Sequence, residues 1–200
     1  MQDELLIRRA QRGDADAFEQ LLLEHQKNVY NLCYRMAGNP DDAMDLSQET
    51  FLRAWRCLDQ YQFASAFSTW LYRLCSNICI DFLRRRRRQQ TVPLTFEDAD
   101  GEEQTYAVPD AQPLPEEQVE LKLTRETLAA AMAQLLPEHR AVLQLRVVNE
   151  MSYEQIADVL DIQIGTVKSR LSRARNQLKK ILERGNLSRR ASSESMEGEV

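Results

Sequence analysis

Glycine is scarce and scattered: six residues in 200, at positions 13, 38, 101, 165, 185 and 198, never gathered into a G-x-G or G-x-x-x-x-G-K cluster. A loop that cradles phosphates needs such a cluster. Nucleotide hydrolysis is therefore not expected as an energy source. Histidine is rarer still (His25 and His139), and Cys33, Cys57, Cys75 and Cys79 include no Cys-x-x-Cys pair. The spacing of a zinc site is missing. The cysteines are read as reduced thiols packed as small apolar residues, and neither a metal nor a cofactor is expected. No stretch approaches the roughly 20 apolar residues of a membrane span. The N-terminus Met1-Gln2-Asp3-Glu4 lacks the basic-then-apolar layout of a signal peptide. Direct membrane insertion is not expected, and the cytoplasm is the expected location.

An apolar content of 43% can support real cores. The net charge of -5 would by itself argue against a polyanionic partner, but its distribution reverses that. Residues 1–90 carry 13 basic and 12 acidic groups, residues 91–118 carry none and 8, residues 119–184 carry 11 and 8, and residues 185–200 carry 2 and 3. The acidity is concentrated in one segment between two parts that are neutral or basic.

Strand-like alternation is absent. Asp3 to about Arg88 shows long apolar-periodic runs broken only near Gly13, Gly38 and Pro40, which predicts about four helices. Thr91 to Pro115 holds four of the six prolines together with Glu97, Asp98, Asp100, Glu102, Glu103 and Asp110. Such a composition cannot bury enough apolar surface to offset its ordering entropy. Helical periodicity resumes near Glu116 and runs to about Glu183. The expected organisation is all-α: a helical domain over 1–90, a flexible acidic linker over 91–118, a smaller helical domain over 119–184, and a disordered serine-rich tail over 185–200.

In the second domain, Ser152-Tyr153-Glu154-Gln155 fits a capping box. The helix it starts would bury Ile156, Ala157 and Leu160, break at Asp161-Ile162-Gln163, and give way to another helix opening near Gly165-Thr166. This is helix-turn-helix spacing. At 100° per residue, Val167, Leu171, Ala174, Leu178 and Ile181 share one side of the second helix. Ser169, Ser172, Arg173 and Asn176 lie opposite, flanked by Lys168, Arg170 and Arg175. A basic, hydrogen-bonding face on such a helix suits a DNA major groove, with its flanks on phosphates.

In the first domain, Asn39 can cap a helix that has Pro40 at its first position and Asp41 and Asp42 in its first turn. Ala43, Leu46, Thr50, Ala54 and Leu58 would face inward. Asp45, Gln48, Glu49, Leu52 and Trp55 project elsewhere, an acidic surface with two large apolar side chains that suits a protein partner. Further on, an inward stripe of Phe67, Leu71, Leu74, Ile78 and Phe82 opposes a polar side of Thr69, Arg73, Asn77 and Arg84. The helix ends in five consecutive arginines, Arg84 to Arg88, suited to a phosphate backbone. Tyr61 and Phe63 fall in a loop just upstream, where aromatics suit stacking on unpaired bases. Phe67 and Trp70 are read as core.

These blocks carry a resemblance. Leu136-Pro137-Glu138-His139-Arg140, Met151 to Ala157 and Ile164 to Arg175 look like region 4 of the extracytoplasmic-function (group IV) sigma factors of the sigma-70 family. Asp41 to Leu52 resembles region 2.2, and Phe67 to Asn77 resembles regions 2.3 and 2.4. The resemblance implies a non-enzymatic initiation factor that binds the core of bacterial RNA polymerase, through the clamp of its largest subunit and its flap, and directs it to promoter DNA. By that likeness, Asp45, Gln48, Glu49, Leu52 and Trp55 would grip the polymerase. Tyr61, Phe63, Arg73, Asn77 and Arg84 would serve minus 10 recognition and melting. Lys168, Ser169, Arg170, Ser172, Arg173 and Arg175 would read the minus 35 element. The linker would pass through the polymerase, and an anti-sigma factor, often membrane-anchored in this family, would be a further partner. Asp161 and Gln163 stand where the family usually has Gly and Pro, and Phe63 and Ala64 partly replace its small or polar loop residues.

Two other classes fit the sequence less well. A free-standing helix-turn-helix repressor would leave the Asp41 to Trp55 surface unexplained. A metal-dependent nuclease using Asp41, Asp42, Asp45 and Glu49 would lack an accompanying His or Lys, and only the last three approach one helix face.

Overall fold

The computed structural model describes residues 2–91 and 116–197, and every regular element among them is helical. The first four helices are α1 (Gln2–Ala10), α2 (Ala15–Ala37), α3 (Pro40–Cys57) and α4 (Phe67–Thr91), with a single 3₁₀ turn at Leu58–Gln60. The second group is α5 (Glu116–Ala133), α6 (Pro137–Leu143), α7 (Tyr153–Leu160) and α8 (Ile164–Glu197). None of the described helices is long and apolar enough to cross a membrane.

Local chemistry sets the helix ends. Asp14 caps α2 by accepting from the Ala17 amide at 3.1 Å. At the other end Gly38 takes the left-handed conformation, φ 89°, and its amide closes on the Tyr34 carbonyl at 2.8 Å. A side chain there would be strained, so the chain turns at a glycine. Asn39 then caps α3, accepting from the Asp42 amide at 2.8 Å, with Pro40 in the first turn. Both halves of the expected capping box at α7 form, Gln155 N to Ser152 Oγ at 3.2 Å and Ser152 N to Gln155 Oε1 at 2.8 Å.

The core of the first group is built where α2 lies against α1, α3 and α4. Ile7, Leu21, Val29, Met36 and Leu58 are fully enclosed. Each such side chain contributes roughly 1.5–3 kcal/mol of transfer free energy. Thr50 is equally enclosed, and its hydroxyl donates to the Leu46 carbonyl at 2.7 Å. In the second group Val142, Leu145, Ile156, Val159 and Val167 fill the space between α6, α7 and α8. Between α6 and α7 the chain takes one π turn over Gln144–Val148, closed by the Asn149 amide on the Gln144 carbonyl at 3.2 Å.

The two groups pack on each other, with α4 against α6 and α7 and the apolar cores continuous. Arg140 of α6, 5% exposed, donates from Nη1 to the Met36 carbonyl at the end of α2 at 2.6 Å. Burial of this guanidinium, with the Arg86 charge nearby, lowers its pKa from the ordinary arginine value.

Two expectations differ at their edges. Most of the acidic linker falls on residues 92–115, outside the described residues, whereas α5 already begins at Glu116. At the far end α8 continues through Gly185 to Glu197 instead of giving way to a disordered tail at 185. One glycine in a helix costs about 1 kcal/mol relative to alanine. The residues beyond it include no proline, so helical hydrogen bonding can carry on through them.

Candidate nucleic-acid and polymerase interfaces

The helix-turn-helix is formed by α7 and α8. Asp161 ends α7 in the left-handed conformation, φ 52° and ψ 53°, its amide bonded to the Ala157 carbonyl. A single left-handed aspartate does here what glycine would do with less strain. Val167, Leu171 and Ala174 are buried beneath α8, and Leu178 and Ile181 are half-buried. Opposite them Lys168, Ser169, Ser172, Arg173, Arg175 and Asn176 are all exposed. Arg170 sits at the margin: it is half-buried, and its charge helps lower the Glu138 carboxyl. It therefore leans toward α6, away from the centre of the face. The Ser169 hydroxyl donates to the Thr166 carbonyl at 3.0 Å.

On α3 the inward set Ala43, Leu46, Thr50, Ala54 and Leu58 is buried, joined by Ser47 and Phe51. The outward set Asp45, Gln48, Glu49, Leu52 and Trp55 is exposed in full. Leu52 is 52% and Trp55 39% accessible. The Trp55 ring leans on Phe18 of α2 at 4.8 Å between centroids, which fixes it as a platform beside the carboxylates.

The third region departs from expectation. Tyr61 is buried, 6% exposed, in a cluster with Phe63, Phe67 and Trp70 at centroid distances of 4.9, 5.7 and 5.4 Å. Its hydroxyl donates to the Ser65 carbonyl at 2.6 Å, and the Gln11 side chain clamps the turn by donating to the Leu58 and Tyr61 carbonyls, both at 2.9 Å. Burial, with Asp3 and Glu4 adding to it, pushes the phenol above its ordinary pKa. Tyr61 is thus core, not an exposed stacking residue, because the start of α4 folds back over the loop and supplies apolar neighbours. Phe63 is half-buried at φ 60°, with the Arg8 guanidinium 4.7 Å from its ring centre.

Along α4, Asn77 and Arg84 are exposed and Arg73 is half-buried. The two arginines already have protein partners: Arg73 Nε donates to the Asp158 carbonyl of α7 at 3.0 Å, and Arg84 meets Glu138 of α6 at 2.6 Å. Farther along, Arg86 pairs with Asp42 of α3 at 2.9 Å. Of the expected inward stripe, Phe67 and Leu71 are buried and Leu74, Ile78 and Phe82 are half-buried against the core, while Cys75, Cys79 and Ile80 are buried beside them. The helix has two covered sides, one toward α2 and α3 and the other toward α6 and α7.

Known families match both groups. A model of sigma-70 region 2 matches residues 21–89, and one of sigma-70 region 4 matches residues 125–178. The ECF RNA polymerase sigma factor SigW of Bacillus subtilis is 33% identical over 176 residues, covering 88% of this chain and 94% of the relative. The RNA polymerase sigma-H factor of Pseudomonas aeruginosa is 37% identical over 183 residues, 91% of this chain and 94% of that one. The chain belongs to the ECF RNA polymerase sigma factors. Among solved structures, CnrH in complex with the cytosolic domain of CnrY aligns at a TM-score of 0.63 with 26% identity, over 92% of this chain and 98% of that one. The sigma factor RpoE of Bartonella quintana, in complex with the anti-sigma factor NepR, aligns at 0.58 with 27% identity, over 83% and 96%.

As a sigma factor the protein binds RNA polymerase core and promoter DNA, and it is an initiation factor without catalysis of its own. Region 2 of this sigma factor spans most of α2 together with α3 and most of α4. Region 4 spans the second half of α5, then α6, α7 and nearly the first half of α8. The residues that sequence reasoning missed are those joining the two regions: Glu138, Arg140 and Asp158. No local window shows these contacts: the acceptor of Arg140, the Met36 carbonyl, lies 104 positions away.

Proposed function

We propose that this sigma factor reads the minus 35 element with α8, grips polymerase with the outer face of α3, and engages the melted minus 10 element with α4. The observation that carries the reading is the division of α8. Lys168, Ser169, Ser172, Arg173 and Arg175 face solvent together while Val167, Leu171 and Ala174 anchor the helix beneath them. Serine and arginine at the centre can hydrogen-bond base edges, and Lys168 and Arg175 at the flanks can hold phosphates. Arg170 is assigned a phosphate contact at the edge of the site.

Asp45, Gln48 and Glu49 present an acidic surface with Leu52 and Trp55 as apolar anchors, the composition of a protein-binding patch whose energy concentrates in a few large side chains. On α4, Arg73, Asn77 and Arg84 are assigned to the minus 10 strand, with Phe63 as the partly exposed aromatic and Tyr61 as the support beneath it. Differential affinity for opened over closed DNA drives melting, and polymerase performs the chemistry. The protein works in the cytoplasm. An anti-sigma factor is its inhibitory partner, as NepR is found with RpoE of Bartonella quintana.

The test is run-off transcription with purified bacterial core polymerase on a promoter library, with and without the chain. Transcripts from a discrete promoter set that are lost on Arg173→Ala and Asn77→Ala are the expected outcome. Duplex binding without any redirection of polymerase would overturn the assignment and favour a repressor.

A further inference from the structure

Three of the four cysteines meet in the core of the region 2 bundle. Cys33 comes from α2, and Cys75 and Cys79, one helical turn apart, come from α4. The Cys33 and Cys75 sulfurs lie 3.4 Å apart, the Cys33 and Cys79 sulfurs 3.9 Å, and all three fall within 4.8 Å of one another. Each has 0% exposure. Cys57 stands apart and is half-buried. Spacing along the chain shows only the Cys75–Cys79 pair, because the third sulfur lies 42 positions upstream of Cys75.

We propose that Cys33, Cys75 and Cys79 form a trithiolate site for a soft divalent metal ion of the zinc and cadmium class. Thiols that serve only as small apolar packing have no reason to converge, and these three sulfurs turn toward one another. A zinc ion holds each sulfur at about 2.3 Å, which places neighbouring sulfurs of a tetrahedral site about 3.8 Å apart. The observed 3.4 and 3.9 Å stand on either side of that value.

The donor set and its surroundings select the ion. Three sulfurs suit a soft or borderline cation, and a hard ion such as magnesium or calcium would need oxygen ligands. Three thiolates with a divalent ion leave one net negative charge in the core, whereas a monovalent ion would leave two, at greater desolvation cost. The Thr50 hydroxyl lies beside Cys33 and offers a neutral oxygen at the edge of the set. An ion here would tie α2 to α4 and stiffen the helix that carries Arg73, Asn77 and Arg84. This inference is independent of the DNA-reading assignments.

The full-length chain, reduced and metal-free, is titrated with cadmium alone while the near-ultraviolet sulfur-to-cadmium absorption is followed. The expected result is one cadmium per chain, unchanged in Cys57→Ser. Cys75→Ala and Cys79→Ala should each weaken binding by more than the roughly 10- to 100-fold typical of outer-shell changes. The helical circular dichroism and melting temperature of each metal-free variant separate loss of a ligand from loss of the fold. X-ray absorption of the loaded wild-type chain should report three sulfurs around the ion, a readout that needs no variant. No absorption from the wild-type chain, dependence on Cys57, or two or fewer sulfurs at the ion would each overturn the proposal.

Discussion

The Arg84 guanidinium meets the Glu138 carboxylate at 2.6 Å, joining the arginine-rich end of α4 to the first turn of α6. Burial pushes the Glu138 carboxyl up, but backbone hydrogen bonding and Arg84 outweigh it, and the net pKa lies below the ordinary glutamate value. A carboxyl depressed in the folded state contributes stability above its unfolded pKa of about 4.3. That contribution is lost as pH falls through the lower, folded value. Glu138→Gln should therefore flatten the acid side of the stability profile while costing under about 1 kcal/mol at neutral pH, since the Arg84 side chain is 52% exposed. Thermal melts of both proteins between pH 3 and 7 check this, and parallel acid limbs would count against it.

Arg173→Ala should lower affinity for a cognate minus 35 duplex by about 1–3 kcal/mol and relax the preference at the base it contacts. Arg175→Ala should weaken binding to all duplexes alike and reduce the salt slope by about one. Both side chains are exposed, so neither melting temperature should move. Fluorescence anisotropy on matched and mismatched duplexes at two salt concentrations separates a base contact from a phosphate contact.

Leu52→Glu should abolish tight association with core polymerase while leaving the helical spectrum intact, because the side chain is 52% exposed. Trp55→Ala should cost at least about 2 kcal/mol of polymerase binding if it is a central anchor. It should also loosen α2 slightly, since Phe18 loses its aromatic partner. Competition against the wild-type chain for core polymerase measures both.

Asp161→Gly should stabilise the protein by about 0.5–1 kcal/mol, because glycine adopts the left-handed conformation without the penalty of a side chain. Residue 161 is exposed and its φ is 52°. Chemical denaturation should show a raised midpoint with unchanged slope. An unchanged or lowered midpoint would mean that the aspartate side chain itself secures the turn.

The faces of α3 and α8 were legible in the sequence because each is a helix with one buried side, and a period of 3.6 residues sorts its side chains directly. The caps at Asn39 and Ser152 were legible for a similar reason: donor and acceptor sit three residues apart. Tyr61 was not, since its burial depends on Phe67 and Trp70 arriving from the next helix. The inward side of α4 was legible in part, since Phe67 and Leu71 are buried as its stripe predicts. A helix covered on two sides buries a wider arc than one stripe, so Cys75 and Cys79, next to Phe82 around the helix, extend the buried side beyond it. The partners of Arg73 and Arg84, 85 and 54 positions away, leave no trace in any local window.

Those partners occupy the two guanidinium groups from within the protein. Under the roles proposed for Arg73 and Arg84, each guanidinium can serve either the region 4 group or the DNA strand, but not both at once. The factor by which docking of α7 and α6 on α4 weakens DNA binding must then equal the factor by which DNA loosens that docking. Any ligand that favours the docked arrangement acts as an inhibitor without touching a DNA-reading residue, and polymerase need only hold the regions apart to act as an activator.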